Sequence, residues 1–224
     1  EPDAVWYMAL SQAMRDAYAE RLTSLGAANP PPEPAETCTT HLTATDAEGN
    51  MVSLTTTLLS SMGSRMVLPK TGVLMNNGMM WFDPTPGSAN AIRPGARPLC
   101  NMLPLTVSEA GKAGPVIAVG ASGGRRILAS VYQMLAYSLD FGMGPEEAAA
   151  MPRIDVSSPD ATSADPRLPA AVLEALAGQG GLELVEHATM PVNYACPNII
   201  RWEDGEAVGI SDVMSPSSGA VAAA

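Results

Sequence analysis

"AETCTTHLTATDAEGNMVSLTTTL" spans residues 35–58. From His41 onward it alternates with period two, so "HLTATD" and "NMVSLTTTL" read as two strands joined at Ala47-Glu48-Gly49. The stretch before it, "AANPPPEPAE" (27–36), cannot be helix or central strand and reads as an extended connector. Thr39-Thr40-His41 therefore stands where a proline-rich joint becomes a strand. Two readings are open there: ordinary β-branched strand residues, or a Thr39 nucleophile awaiting scission of the peptide bond before it.

Upstream, residues 4–25 carry a helical pattern with Trp6, Leu10, Ala13, Met14 and Ala17 near one face and Gly26 as the stop. Downstream, "GVLMNNGMM" (72–80) reads as a further strand before a Gly- and Pro-rich stretch. "LPLTVSE" and "PVIAVGA" form a hairpin, and "RRILASVYQMLAYSLDF" (125–141) a helix. "GPEEAAAM" and "PAAVLEALAG" are shorter helices, and "NIIRWEDGEAVGIS" (198–211) is a third hairpin turning at Glu203-Asp204-Gly205. Hairpins, then helices, then a last hairpin predict an α+β fold of antiparallel sheets covered by helices.

The net charge of −11, with no Lys/Arg cluster, argues against nucleic acid or an anionic membrane surface as a partner. Cys38, Cys100 and Cys196 show neither metal spacing nor a disulfide framework. Only His41 and His187 offer imidazoles, so a His-rich metal site is excluded and neither metal nor organic cofactor is expected. No apolar run reaches the roughly 18 residues of a membrane span. The compartment stays open, periplasmic or secreted included, because any signal peptide would lie upstream.

Two nucleophiles compete. Gly120-Ala121-Ser122-Gly123-Gly124 fits G-x-S-x-G after a strand and before a helix, with Asp160 or Asp165 and then His187 following in α/β-hydrolase order. That fold, however, needs parallel strands, and the strands here are hairpin-linked. Thr39 is the other candidate. A threonine hydroxyl becomes a useful nucleophile when its own α-amine, titrating near pH 8 (about 7.7–8.0), takes its proton. An amide nitrogen is not basic, so this chemistry requires a cut between Cys38 and Thr39.

"TTHLTATDAEGNMVSLTTTL", "GVLMNNGMMWF", "RPLCNMLP", "VGASGGRRI" and "MPRIDVSSPD" occur in an order and spacing that resemble the γ-glutamyltranspeptidase family. The resemblance runs from Thr39 to about Gly219. It implies an amino-terminal-nucleophile fold, a four-layer αββα sandwich of which this chain holds a part. Residues 1–38 then correspond to the end of a large subunit with its connector, and 39–224 to a catalytic small subunit. The resemblance makes Thr39 nucleophile and base, Thr57 its hydroxyl partner, and Gly123 and Gly124 the oxyanion donors; glycines opening a helix suit an anion. It also implies a large-subunit partner, a small-molecule amide substrate such as glutathione, and hydrolysis or transfer through an acyl-threonine.

The positions implied for substrate binding are Leu59, Asn77, Gly78, Trp81, Cys100 and Asn101. Asn77 also suits a turn or a cap. Leu59, Trp81, Cys100 and Asn101 stand where the family carries an asparagine, an acidic residue and a serine pair. Each charged hydrogen bond so lost forfeits about 1.5–3 kcal/mol, which predicts an acyl group less polar than γ-glutamate or differently charged. The alternatives are a cephalosporin-acylase-like amidase, a Ser122 esterase, and an uncleaved, non-catalytic homologue.

Overall fold

The computed structural model of the chain describes residues 1–25, 37–158, 160–189 and 193–222. The expected connector at 27–36 and the helix stop at Gly26 lie outside the described residues. Helix α1 (Ala4–Glu20) opens on Asp3, whose carboxylate caps the Trp6 N–H, and it buries Tyr7, Leu10, Ser11, Met14 and Tyr18. That stripe corrects the expected face, since Ala13 and Ala17 point to solvent. The helix also ends early. Arg21–Leu25 form a wider π turn, where the Thr23 hydroxyl bonds the Ala19 and Glu20 carbonyls.

Strands β1 (Thr37–Thr45) and β2 (Met51–Ser60) form the predicted hairpin, pairing His41 with Thr55 and Thr45 with Met51. Its turn is tied by Asp46, whose carboxylate accepts from the Glu48 and Asn50 N–H groups. No strand forms over 72–80. Val67 and Leu74 make one isolated bridge, and Gly78–Trp81 is a 3-10 turn. The Asn77 N–H explains why: it bonds the Leu58 carbonyl of β2 instead of a ladder partner.

Next come β3 (Leu105–Ser108), β4 (Pro115–Ser122), α2 (Ile127–Leu139) and α3 (Pro145–Ala150). Three short strands that periodicity did not flag, β5 (Ile154–Asp155), β6 (Thr162–Ala164) and β7 (Leu182–Leu184), surround α4 (Ala170–Gly178) in sequence. The last hairpin is β8 (Cys196–Glu203) and β9 (Glu206–Ser211). The main sheet is antiparallel in order β3-β4-β8-β9; a second has order β5-β6-β7, its β6–β7 pair parallel.

Strand β4 is buried on both faces. Ile117, Val119 and Ala121 pack with Ile127, Val131 and Met134 of α2, while Ala118 and Gly120 let the β1–β2 hairpin come close on the other side. Three layers result: hairpin, main sheet, helices. A second core joins Tyr7, Leu10 and Met14 of α1 to Val172 and Leu176 of α4 and Ile154 of β5, so residues 4–20 are built into the same body as the strands. The hairpin's outer face carries Leu42, Val52 and Leu54, respectively 42%, 53% and 48% exposed; among the described residues no helix covers it. None of the described helices is long and apolar enough to cross a membrane.

Candidate active site

Strands β1 and β2 approach one another tightly at their open end. The Thr39 Oγ1 atom lies 2.9 Å from Thr57 Oγ1. The Thr57 hydroxyl also donates to the carbonyl oxygen of Cys38, at 2.9 Å, and Thr57 Oγ1 accepts the Leu59 N–H, again at 2.9 Å. One side chain thus touches the hydroxyl and the peptide bond that the sequence singled out.

The register explains this convergence. Thr39 pairs with Thr57 but Cys38 pairs with Leu59, leaving Leu58 as the extra residue of a β-bulge. Leu59 follows with φ 71, a left-handed conformation. For a bulky residue such a backbone costs about 1–3 kcal/mol and persists only where its surroundings enforce it. Asn77 supplies much of the enforcement. Its N–H holds the Leu58 carbonyl, its Oδ1 takes the Ser60 N–H at 3.0 Å, and its Nδ2 donates to Ser60 Oγ at 2.8 Å. Asn77 therefore acts as the clamp of the bulge.

The neighbouring 3-10 turn carries two more of the predicted substrate positions. A Cβ on Gly78 would meet the Trp81 ring at 3.4 Å and Asn76 Oδ1 at 3.1 Å. The buried Trp81 indole N–H has no acceptor among the described residues. Cys100 and Asn101 line a different cleft of about 100 Å3 with Tyr18, Met102, Leu103, Leu128, Arg21 and Arg125. Arg21 donates to Asn101 Oδ1 at 2.6 Å and to the Cys100 carbonyl at 3.3 Å. Sequence reasoning missed Arg21 because it is 79 and 80 residues from its partners.

His41, next in the TTH motif, faces the main sheet. Its ring lies over Gly120, where an added Cβ would stand 2.2 Å from Cε1. The Ser53 hydroxyl donates to the Val119 carbonyl, so it accepts from His41 Nε2 at 3.4 Å, and Nδ1 accepts from Thr55 Oγ1 at 2.8 Å. Burial pushes the imidazole pKa down to about 4, so it is neutral at physiological pH. Asn198 completes the joint, donating to the His41 carbonyl and accepting from the Thr43 hydroxyl.

These contacts also fix the direction of travel. Ser53, the partner of Thr43, touches Val119, while His41 touches Gly120. In this direction β1 runs on to Thr39, while β4 ends at Ser122, before Gly123 and Gly124. Gly123 has φ 142, and a Cβ there would sit 2.6 Å from Ala195 Cα; only glycine fits. Gly124–Arg126 form a 3-10 turn that leads into α2, so this corner holds the start of a helix.

The serine-elbow context is absent. Ser122 ends a strand that lies antiparallel between β3 and β8. His187 is committed to Asp212, at 3.3 Å, and Asp165 to Arg167. Asp212 also binds the fully buried Arg153 at 2.7 Å. Burial opposes the Asp212 charge, but His187 and Arg153 outweigh it and hold its pKa below the usual carboxylate value. This cluster joins the entry of β5 to the segment after β9 and was invisible in the sequence, its members lying 34 and 59 residues apart. Among the described residues no group of three or more His, Cys, Asp or Glu could hold a metal ion.

Comparison with known proteins matches residues 5–222 to the family model described as Gamma-glutamyltranspeptidase. The chain belongs to this family. It is 35% identical over 184 residues to the glutathione hydrolase proenzyme of Bacillus subtilis (strain 168), covering 81% of this chain and 30% of that protein. The γ-glutamyltranspeptidase of Pseudomonas nitroreducens complexed with L-DON superposes with a TM-score of 0.67 at 31% identity, covering 82% of this chain and 100% of that one. The cephalosporin acylase of Bacillus halodurans shares the fold, with a TM-score of 0.75 at 22% identity, covering 96% of this chain and 44% of that one. The α+β, antiparallel architecture is that of the γ-glutamyltranspeptidases. The chain spans between 25% and 31% of the length of the first curated relatives it matches.

Proposed function

We propose that this γ-glutamyltranspeptidase-family chain belongs to a precursor that cuts itself between Cys38 and Thr39 and then acts as a threonine amidohydrolase and acyltransferase. The observation that carries this reading is the Thr57 hydroxyl, set between Thr39 Oγ1 and the Cys38 carbonyl at a strained bulge.

In the first step Thr39 Oγ1 adds to the Cys38 carbonyl carbon. The bond from that carbon to the Thr39 nitrogen breaks, and the nitrogen keeps the hydroxyl proton. Water hydrolyses the resulting ester, leaving a Cys38 carboxylate and a free Thr39 amine. That amine now serves as base. It takes the hydroxyl proton as Oγ1 attacks the substrate amide, and the leaving amine departs protonated. The acyl-Thr39 ester passes to water or to an acceptor amine. Gly123 and Gly124 supply backbone donors for the tetrahedral oxyanion, each worth about 100- to 1000-fold in rate.

The rest of the precursor, a large subunit, covers Leu42, Val52 and Leu54 and completes the fourth layer. Residues 1–38 end that subunit and 39–224 form the small one. The substrate is a γ-glutamyl amide or a related amide, with Leu59, Gly78, Trp81, Cys100 and Asn101 as determinants of the acyl group. Leu59 and Trp81 favour a less polar acyl group. A preference for γ-glutamyl-anilide over aliphatic and aromatic acyl anilides would refute that point alone.

Expression of the complete precursor is expected to yield a chain whose amino terminus reads Thr-Thr-His, by intact mass and terminal sequencing. Thr39→Ala stays whole and inactive. A Thr39→Ala protein that retains amidase activity overturns the reading, and a wild-type chain that stays whole favours a non-catalytic homologue.

A further inference from the structure

We infer that Tyr18 and Arg21, where α1 gives way to its π turn, are positioning residues for the reaction at Thr39: Tyr18 acts on the chemical step and Arg21 on the hold on the acyl group. This deepens the functional reading above and rests on it. Residues three apart lie on one face of a helix, yet these two reach different loops. The Tyr18 hydroxyl donates to the Arg125 carbonyl. The Arg21 guanidinium donates to Asn101 Oδ1 at 2.6 Å and to the Cys100 carbonyl at 3.3 Å. Both side chains line the cleft shared by Cys100, Asn101 and Arg125.

Arg125 is the middle residue of the 3-10 turn Gly124–Arg126. The Gly123 and Gly124 carbonyls accept from the Arg126 and Ile127 N–H groups, closing the turn on itself. The Arg125 carbonyl is gripped from outside the turn, by Tyr18. Two further contacts hold the same corner: Arg126 Nη1 donates to the Asn193 carbonyl at 2.6 Å, and Ala195 lies close against Gly123. In a helical turn the carbonyls point one way along the axis and the N–H groups the other. A hydroxyl that holds one carbonyl therefore sets the tilt of the Gly123 and Gly124 N–H groups, the proposed oxyanion donors. Such donors lose their effect on the transition state when their aim drifts.

Arg21 has a different task. Its fork ties the Asn101 side chain to the Cys100 backbone, fixing the spacing of two positions proposed to meet the acyl group. Binding that is equal in ground and transition states shows in KM, whereas an interaction made only in the transition state shows in kcat. The proposed cut would sever the chain between these two residues and the loops they hold. Their grip then depends on α1 staying docked. Tyr7, Leu10 and Met14 bind that helix into the second core, and Tyr7 Oη lies 2.9 Å from Tyr137 Oη near the far end of α2.

The test uses the complete precursor after cleavage, with active chains counted by their Thr-Thr-His terminus, and the acyl anilide that wild type hydrolyses fastest. Tyr18→Phe keeps the buried ring and removes only the hydroxyl. Its kcat is expected to fall about tenfold, with KM within about twofold of wild type. Arg21→Lys keeps the charge and loses the fork. Its KM is expected to rise about fivefold, with kcat within about twofold. A merely structural role lowers the melting temperature and the yield of active chains but leaves both constants per active chain at wild type. That result in either variant, or losses that strike kcat and KM alike, overturns the inference and leaves cleavage before Thr39 standing. A wild-type precursor that stays whole, or is cut yet hydrolyses no anilide, removes the functional reading and the inference with it. Should Tyr18→Phe fail to fold, a wild-type KM in Arg21→Lys still overturns the proposal.

Discussion

Leu59 and Gly123 mark two bends at the same end of the sheet pair, and they solve opposite problems. Both have positive φ, 71 and 142. At Gly123 the space is closed, since a Cβ would press on Ala195 at 2.6 Å, and composition removes the conflict. At Leu59 there is room for a side chain, and only the backbone conformation is unfavourable. Gly120 is the third case: its φ is ordinary, but the His41 ring fills the place of its side chain. The difference teaches that a glycine here marks close approach, whereas strain at a bulky residue marks a backbone pinned by its neighbours' hydrogen bonds.

Gly123→Ala tests the comparison most severely. It meets both penalties, and the proposed oxyanion corner must shift. Turnover of the cleaved enzyme is expected to fall at least about 100-fold, read as kcat with any responsive amide. An alanine variant with wild-type kcat would show that this corner tolerates displacement and would end the contrast with Leu59. Gly120→Ala meets the steric penalty alone. Crowding His41 is expected to cost about 1–3 kcal/mol, measured by urea unfolding, with a smaller change in kcat than at Gly123.

The smallest effect sharpens the Gly120 joint. His41 titrates near 4 when folded, against about 6.5 in a free chain. Between those values the unfolded state binds the extra proton, so stability is complete above about pH 6.5 and declines as pH falls to about 4. His41→Gln removes that component, and the ratio of unfolding midpoints at pH 7 and pH 4.5 is expected to flatten. An unchanged ratio would mean that the imidazole is not held neutral by the joint.

Most hairpins were legible because alternation and Gly-containing turns are local: β1–β2, β3–β4 and β8–β9 lie where period two places them. The strand expected at 72–80 failed because Asn77 spends its N–H on the bulge, a contact 19 residues away that alternation cannot register. Strands β5, β6 and β7 have two or three residues each, too short for any period to show. The helix α1 was found, but its buried face was misplaced by about one residue because Tyr7 and Tyr18 outweigh the alanines in filling the core. At the candidate site, Thr39, Thr57 and the glycine pair could be named from motif order. The left-handed Leu59 and the distant Arg21–Asn101 contact could not, because both exist only once the chain has closed on itself.

The strand ladder carries one more consequence. Thr37 is in register with Ser60 and Cys38 with Leu59, so the proposed cut after Cys38 would leave these two residues still laced to β2. In the proposed cleavage the new carboxylate would stand beside Thr39, the residue just unmasked, and would compete with an incoming acyl group. On the proposed reading maturation has two clocks, one for breaking the bond and one for unlacing the cut end, and enzyme that is fully cut but still dormant should precede the working form.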